Sequence, residues 1–281
     1  MRHPSLLTIL QAFLLVSAQF VASVRAEEAG PISSARDLAA RLSANLQDGT
    51  SSVRVKMEIR PPAGGPKTVL QLQIKARRTK AATDVVYQVL WPKERKGESV
   101  LLRATDGHAP SGTYFLPPDS LHAITSEQMK DPVFGSDLAY ADLIENFFVW
   151  EQQSIVGHEM VDRVACQILE SRPGKGDHSI YGRVLSWIDP KRLVALRVEK
   201  YFDSGQEARR IDTTRVAEDD TDRKVAATLR VQSAGQDSIT ELEGSKSRHD
   251  VTLSDNDFTT EALRAQPPKA PAPNQPEPRP K

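Results

Sequence analysis

Residues 53–60 read Val-Arg-Val-Lys-Met-Glu-Ile-Arg. Val53, Val55, Met57 and Ile59 alternate strictly with Arg54, Lys56, Glu58 and Arg60. That period of two puts the apolar side chains on one face of an extended strand and the charges on the other. The run begins after Ser51 and stops at the turn Pro61–Pro66. Working outward, shorter or less regular versions recur over Val69–Ala76, Thr83–Leu90, Ser99–Ala104 and Thr113–Leu116, separated by segments with turn chemistry. Farther along come Glu151–Val156, then a turn at Gly157–His158, Val161–Ser171, Ser179–Ile188 and Leu193–Phe202. Gln206–Val216, Lys224–Gln232 and Ser238–Leu242 are more polar strands. The hairpin at Asp189-Pro190-Lys191-Arg192 is the clearest, because Asp-Pro favours a turn. The whole reads as an antiparallel meander of strands that each hide one face.

The pattern departs from period two in four places. Ile32–Leu46 carries Leu38, Leu42 and Leu46 on a helical stripe opposite Arg36, Asp37 and Arg41, with Ser33 or Ser34 as cap and Asp48-Gly49 as stop. Pro117-Pro118 interrupts the ladder, and Asp119–Gln128 is expected to form a short helix. Asp131–Trp150, DPVFGSDLAYADLIENFFVW, places Tyr140, Leu143, Ile144 and Phe147 at i, i+3, i+4 and i+7, one face of a helix. Gly135 turns the chain before it, Ser136 or Asp137 can cap it, and Phe147, Phe148 and Trp150 are expected to open the next strand. Asp257–Leu263 closes the domain with a helical turn.

Ten or so one-sided strands need a cover. They can cover one another, as in a sandwich or closed barrel, or lie under the amphipathic helix and the 131–150 segment. The second arrangement is a mainly β (α+β) fold: a curved, unclosed antiparallel half-barrel with an N-terminal helix, short covering helices and an apolar concavity suited to an acyl chain.

With 37 basic and 37 acidic residues in 281, the chain has no basic excess to mark a nucleic-acid footprint. Residues 1–26 read as a cleavable export signal: Arg2 and His3, an apolar run from Leu6 to Val16, then Val24-Arg25-Ala26. That run is too short and too broken to span a membrane. Removing it takes away Arg2 and Arg25 and leaves 35 basic residues against 37 acidic. The only cysteine, Cys166, lies within an alternating run, so neither an intrachain disulfide nor an N-terminal lipid anchor is available. We expect a soluble periplasmic or secreted monomer with three parts: signal 1–26, half-barrel domain 27–264, and a disordered Pro-rich tail 265–281.

Catalytic constellations are scarce. His108, His122, His158, His178 and His249 fall in or near expected turns without metal-ligand spacing, and there is no G-x-S-x-G elbow or complete phosphate loop. Asp137, Asp142 and Glu145 form an acidic face that serves as cap and solvated surface without chemistry. No cofactor, metal or enzymatic activity is expected.

The segment Phe134-Gly135-Ser136-Asp137-Leu138-Ala139-Tyr140-Ala141-Asp142-Leu143 resembles the GSDFSYEDL-type motif of the outer-membrane lipoprotein-sorting proteins, the LolA-like superfamily. Trp187-Ile188-Asp189-Pro190 and the strand after it are similar to a second element of that family. The resemblance spans roughly residues 46–257 and departs from the usual motif at Leu138, Ala139 and Ala141. It implies a half-barrel whose helix-capped concave face binds acyl chains of lipoproteins or other lipids on their way to the outer membrane, with an inner-membrane transporter as donor. The lining residues expected are Tyr140, Leu143, Ile144, Phe147, Trp150, Trp187 and Phe202, although core packing would use the same side chains. The other reading is an envelope sensor or interaction protein that binds a membrane or regulatory protein partner.

Overall fold

The computed structural model describes residues 34–45, 49–79, 81–245 and 247–265. The signal-like residues 1–26 and the Pro-rich residues from 266 onward lie outside the described residues, as do Ile32, Ser33 and Leu46 of the expected helix. Among the described residues one helix, α1 (Ala35–Asn45), precedes the strands, with the Ser34 hydroxyl accepting from Asp37 N at 3.2 Å. Six strands follow: β1 (Gly49–Arg60), β2 (Thr68–Arg78), β3 (Ala82–Trp91), β4 (Ser99–Thr105), β5 (Ser111–Leu116) and β6 (Ser120–Ile124). After a long connection come β7 (Gln152–Val161), β8 (Val164–Arg172), β9 (Arg183–Asp189), β10 (Val194–Tyr201), β11 (Glu207–Glu218), β12 (Lys224–Ser233), β13 (Ile239–Gly244) and β14 (Arg248–His249). A short helix, α2 (Thr260–Arg264), ends the described chain.

All these strands join one antiparallel sheet in the order β6-β5-β4-β3-β2-β1-β13-β12-β11-β10-β9-β8-β7, with β14 pairing β1. The sheet does not close: β6 is one edge and β7 the other. This order decides the role of residues 125–151. Apart from β13 and β14, which both pair with β1, strands adjacent in sequence pair with one another, but β6 and β7 lie at opposite edges, so the chain between them has to traverse a face of the sheet.

Opposite faces of the strands bury different clusters. On the concave side Val55, Met57, Leu70, Leu72, Val85, Val89, Val100 and Leu102 pack with Val133, Leu138, Ala141 and Ile144 of the crossing segment. The helix α1 lays Leu38, Ala39 and Leu42 over Leu169 and Ile188 of β8 and β9. On the other side, Val86, Leu101 and Phe115 are covered by Phe258 and Leu263 of the C-terminal turn, while Val161, Cys166, Trp187, Val194 and Leu196 form a separate cluster.

Three local expectations are corrected. Residues 119–128 are not a helix: Leu116 pairs with Ser120 and Phe115 with Leu121, making β6, and only Glu127–Lys130 form a helical turn. The open backbone groups of β5 offer a ladder that a ten-residue isolated helix cannot match. Gly157 and His158 lie within β7 beside a bulge, and the turn falls at Asp162 and Arg163, whose φ values of 47° and 67° suit a two-residue hairpin. Asp131–Trp150 is no continuous helix either. It contains single turns at Tyr140–Leu143 and Phe147–Val149, and the next strand starts at Gln152, not at the aromatics.

Candidate functional site

The crossing segment is held to the sheet at two buried carboxylates. Phe134 (φ 53°) and Gly135 (φ 78°) reverse the chain, so that Pro132 and Ala139 come opposite one another. Within that turn the Ser136 hydroxyl donates to Val133 O at 2.8 Å and accepts from Leu138 N at 3.2 Å. Asp137 is thereby turned down onto β12 and β13. Its carboxylate accepts from the Ser238 hydroxyl at 2.6 Å and the Thr240 hydroxyl at 2.8 Å, and its own amide donates to Thr240 Oγ1 at 2.9 Å.

The second tie is ionic. Lys200 and Arg209 are cross-strand partners on β10 and β11, and both reach Asp142: Lys200 Nζ lies 2.8 Å from Oδ1, and the Arg209 guanidinium contacts Oδ2. The Tyr181 hydroxyl donates to the same carboxylate at 2.7 Å, and so does Ala139 N, which caps the Tyr140–Leu143 turn. The Asp142, Lys200 and Arg209 side chains are 1%, 3% and 8% exposed. Burial pulls the Lys200 ammonium down to about 8 with Glu145 opposing, and the Arg209 guanidinium down to about 10 with Asp137 opposing. Charges at this depth are tolerated only when paired, so Asp142 binds the segment to the far half of the sheet. Glu145 is also withdrawn from solvent. Burial raises its pKa, and only one of its oxygens has a partner, the Ser179 hydroxyl at 3.0 Å. The acidic face expected to be solvated is therefore buried.

Between the two ties lies an apolar cavity of about 480 Å³. Its apolar lining comes from five strands: Val53, Val55 and Met57 of β1, Leu72 and Ile74 of β2, Ile211 and Ala217 of β11, Leu229 and Val231 of β12, and Leu242 of β13, while Arg215, Glu218, Ser245 and Ser247 line it as well. Leu138 and Leu143 of the crossing segment form the roof, and Tyr87 stands at one end with its hydroxyl donating to Leu143 O at 3.0 Å.

Of the side chains expected to line a lipid site, Leu143 faces this cavity. Ile144 and Trp150 border a second, outer cleft. Tyr140 packs on the main core, Phe147 lies under Lys200 with Nζ 5.4 Å from its ring centroid, and Phe202 stacks on Tyr181 at 6.1 Å. Trp187 is in the cluster on the opposite side of the sheet, and its indole donates to Glu159 at 2.9 Å. The lining residues that sequence reasoning passed over are the aliphatic ones, and their signal was the alternation itself: Val53, Val55 and Met57 are the apolar half of the opening run.

The histidines are also placed differently from expectation, since His122, His158 and His249 lie on strands. Asp219, Asp220 and His249 bring three ligand atoms within 4.8 Å, but both carboxylates are engaged. Asp219 takes hydrogen bonds from Thr221 and Arg223, and Asp220 from His249 N and its ring. Among the described residues no helix is long and apolar enough to cross a membrane.

The open antiparallel sheet, its concave face crossed by the β6–β7 connection, is an unclosed half-barrel. Solved structures show the same fold. A DUF1329 family protein from Desulfovibrio piger matches with a TM-score of 0.75 and 23% identity over 83% of this chain and 99% of its own. A domain described as an outer membrane lipoprotein-sorting protein from Vibrio parahaemolyticus gives 0.73 and 20% over 82% and 98%. A LolA superfamily protein from Nitrosomonas europaea gives 0.67 and 15% over 82% and 100%. No curated protein matches the sequence. A family model described as "Uncharacterized protein" matches residues 82–265, and the chain belongs to that family.

Proposed function

We propose that the protein is a non-enzymatic lipid carrier of the cell envelope, which shelters the acyl chain of a lipid or lipoprotein in the cavity under Leu138 and Leu143 during transfer toward the outer membrane. The observation that carries this reading is the cavity: about 480 Å³ walled mostly by aliphatic side chains, within the ~300–1,000 Å³ usual for small-molecule sites. Each methylene buried there contributes about 0.8 kcal/mol, so a dozen supply about 10 kcal/mol to set against the costs of association. The fold supports the reading, since the Vibrio neighbour carries a lipoprotein-sorting description. On this account the protein acts after export, receives its cargo from an inner-membrane donor, and releases it to an acceptor with a higher affinity for it.

Native mass spectrometry of gently purified protein, with organic extraction of what it carries, tests the proposal. The expected result is a co-purifying acyl lipid at one per chain. Protein that is empty and takes up no added long-chain fatty acid or fatty alcohol overturns it.

A further inference from the structure

The face of the sheet turned away from the crossing segment carries an exposed indole. Trp91, at the end of β3, is 49% exposed, and among the described residues the other large apolar side chains left in water, Val149, Val156 and Met160, are not aromatic. Trp91 pairs with Gln71, and Gln88 with Gln73. Gln71 and Gln73 are two apart on β2 and share a face, so Trp91 and Gln88 share it too. Beside Trp91 a groove of about 320 Å³ is lined by its chain neighbour Leu90 and by Gln71, Lys56 and Glu243, which are successive partners across β2, β1 and β13. A single apolar side chain at a surface needs no explanation by itself. What gives this one a meaning is the course of the chain that approaches it.

The C-terminal part of the described chain climbs the same face along β3. Asp255 pairs with Arg77, which lies opposite Asp84, then Phe258 and Leu263 cover Val86 and Leu101, and finally Ala265 O accepts from Gln88 Nε2 at 3.3 Å. Arg264 is tied to Asp119 at 3.1 Å. The contacts thus advance from Asp84 through Val86 to Gln88, and Trp91 lies three residues, about 10 Å, farther along the strand. The sequence continues Gln266-Pro267-Pro268-Lys269-Ala270-Pro271-Ala272-Pro273. Proline-rich sequence favours the polyproline II helix, whose rise of about 3.1 Å per residue lets Gln266–Pro268 span about 9 Å, the distance to Trp91. Pro268-Lys269-Ala270-Pro271 also has the P-x-x-P spacing. Segments of that kind dock on aromatic-lined grooves, because their backbone is already ordered before they bind.

We infer that residues 266–273 dock in polyproline form on Trp91 and the groove beside it, within the same molecule, so that this face holds a proline-recognition surface whose resident ligand is the chain's own tail. Pro267 and Pro268 then cover the indole, and Pro271 lies about 9 Å beyond them. The tether selects the occupant. A segment anchored at Gln88 has a high effective concentration at a nearby surface, an advantage that a separate proline-rich chain lacks. The inference is independent of the carrier reading, because it uses the opposite face of the sheet.

Acrylamide quenching of tryptophan fluorescence in the full chain tests it. Of the three tryptophans, Trp150 and Trp187 are each 6% exposed, so quenching of the native protein reports on Trp91, and Trp91→Phe checks the assignment by removing that emission. The wild-type chain is expected to resist quenching. A chain carrying Pro267→Ser, Pro268→Ser and Pro271→Ser, which keeps every residue of the sheet, is expected to lose that resistance. Equal quenching of the two chains overturns the inference. Protection that disappears from the wild-type chain on about hundredfold dilution also overturns it, since an intramolecular contact does not depend on protein concentration and the tail would then be seated on a second copy.

Discussion

The crossing segment lies on two unlike floors. Over β10 and β11 its Asp142 is locked to Lys200, Arg209 and Tyr181, and the three charged side chains of that tie are withdrawn from water. Over β1, β2, β12 and β13, Leu138 and Leu143 stand above aliphatic side chains with a cavity of about 480 Å³ between. The two sides of one roof thus do different work. Ion pairs at the first fix where the segment lies, since geometry makes them directional. The second is left underpacked, in a class of molecule whose interiors are otherwise close-packed. A roof held firmly at one end can stand over empty volume without collapsing into it.

The largest effect is expected where the roof is tied. Asp142→Ala strips the shared carboxylate from two buried cations and should cost about 3–5 kcal/mol in urea unfolding. A loss below about 1 kcal/mol would show that the two floors do not differ as described. The packing contrast comes next. Leu70, fully buried in the main cluster and away from the cavity, should lose about 2–5 kcal/mol on Leu70→Ala. Leu242, half-buried on the cavity wall, should lose only about 1 kcal/mol on Leu242→Ala, because part of its surface already lacks contacts. Equal losses would mean the cavity is filled in solution.

A smaller effect belongs to the turn after β11. Burial pushes the Asp219 carboxyl upward, but hydrogen bonds from Thr221 and Arg223 outweigh it and hold the group well below the usual carboxylate range. Arg223 in turn donates to Asn45 O at 3.0 Å, at the end of α1. A depressed pKa gives stability that is present above the unfolded value of 3.8 and lost as pH falls through the folded one. Asp219→Asn should therefore cost about 1–3 kcal/mol at neutral pH and flatten the decline in stability below about pH 4. Parallel acid titrations of both proteins would refute this.

The sequence made the strands legible, because a period of two survives wherever one face is wet. The edge-to-edge crossing was not legible, since pairing order depends on partners far apart in the chain. Asp137 and Asp142 read as cap and surface groups that hold the segment in shape, but their burial was not legible, because the residues that bury them, Thr240, Lys200 and Arg209, lie 58 to 103 positions away. Trp187 was misjudged for a different reason. Val184, Leu185, Trp187 and Ile188 make β9 apolar on both faces, so alternation cannot say which residues turn inward. The reverse held at β1, where Val53, Val55 and Met57 announced the cavity floor although aromatics drew the attention.

On the carrier proposal an acyl chain occupies the volume beneath Leu138 and Leu143. Ala227 lines that volume from β12, and Ala227→Trp would fill much of it at a stability change of about 1 kcal/mol or less, since the added ring enters empty space rather than a packed core. Calorimetric titration of a long-chain acyl ligand into both proteins is the direct measurement. The expected result is one chain bound per wild-type molecule and at least about tenfold weaker binding by a folded Ala227→Trp protein. Unchanged binding by that variant would place the ligand elsewhere and contradict the account.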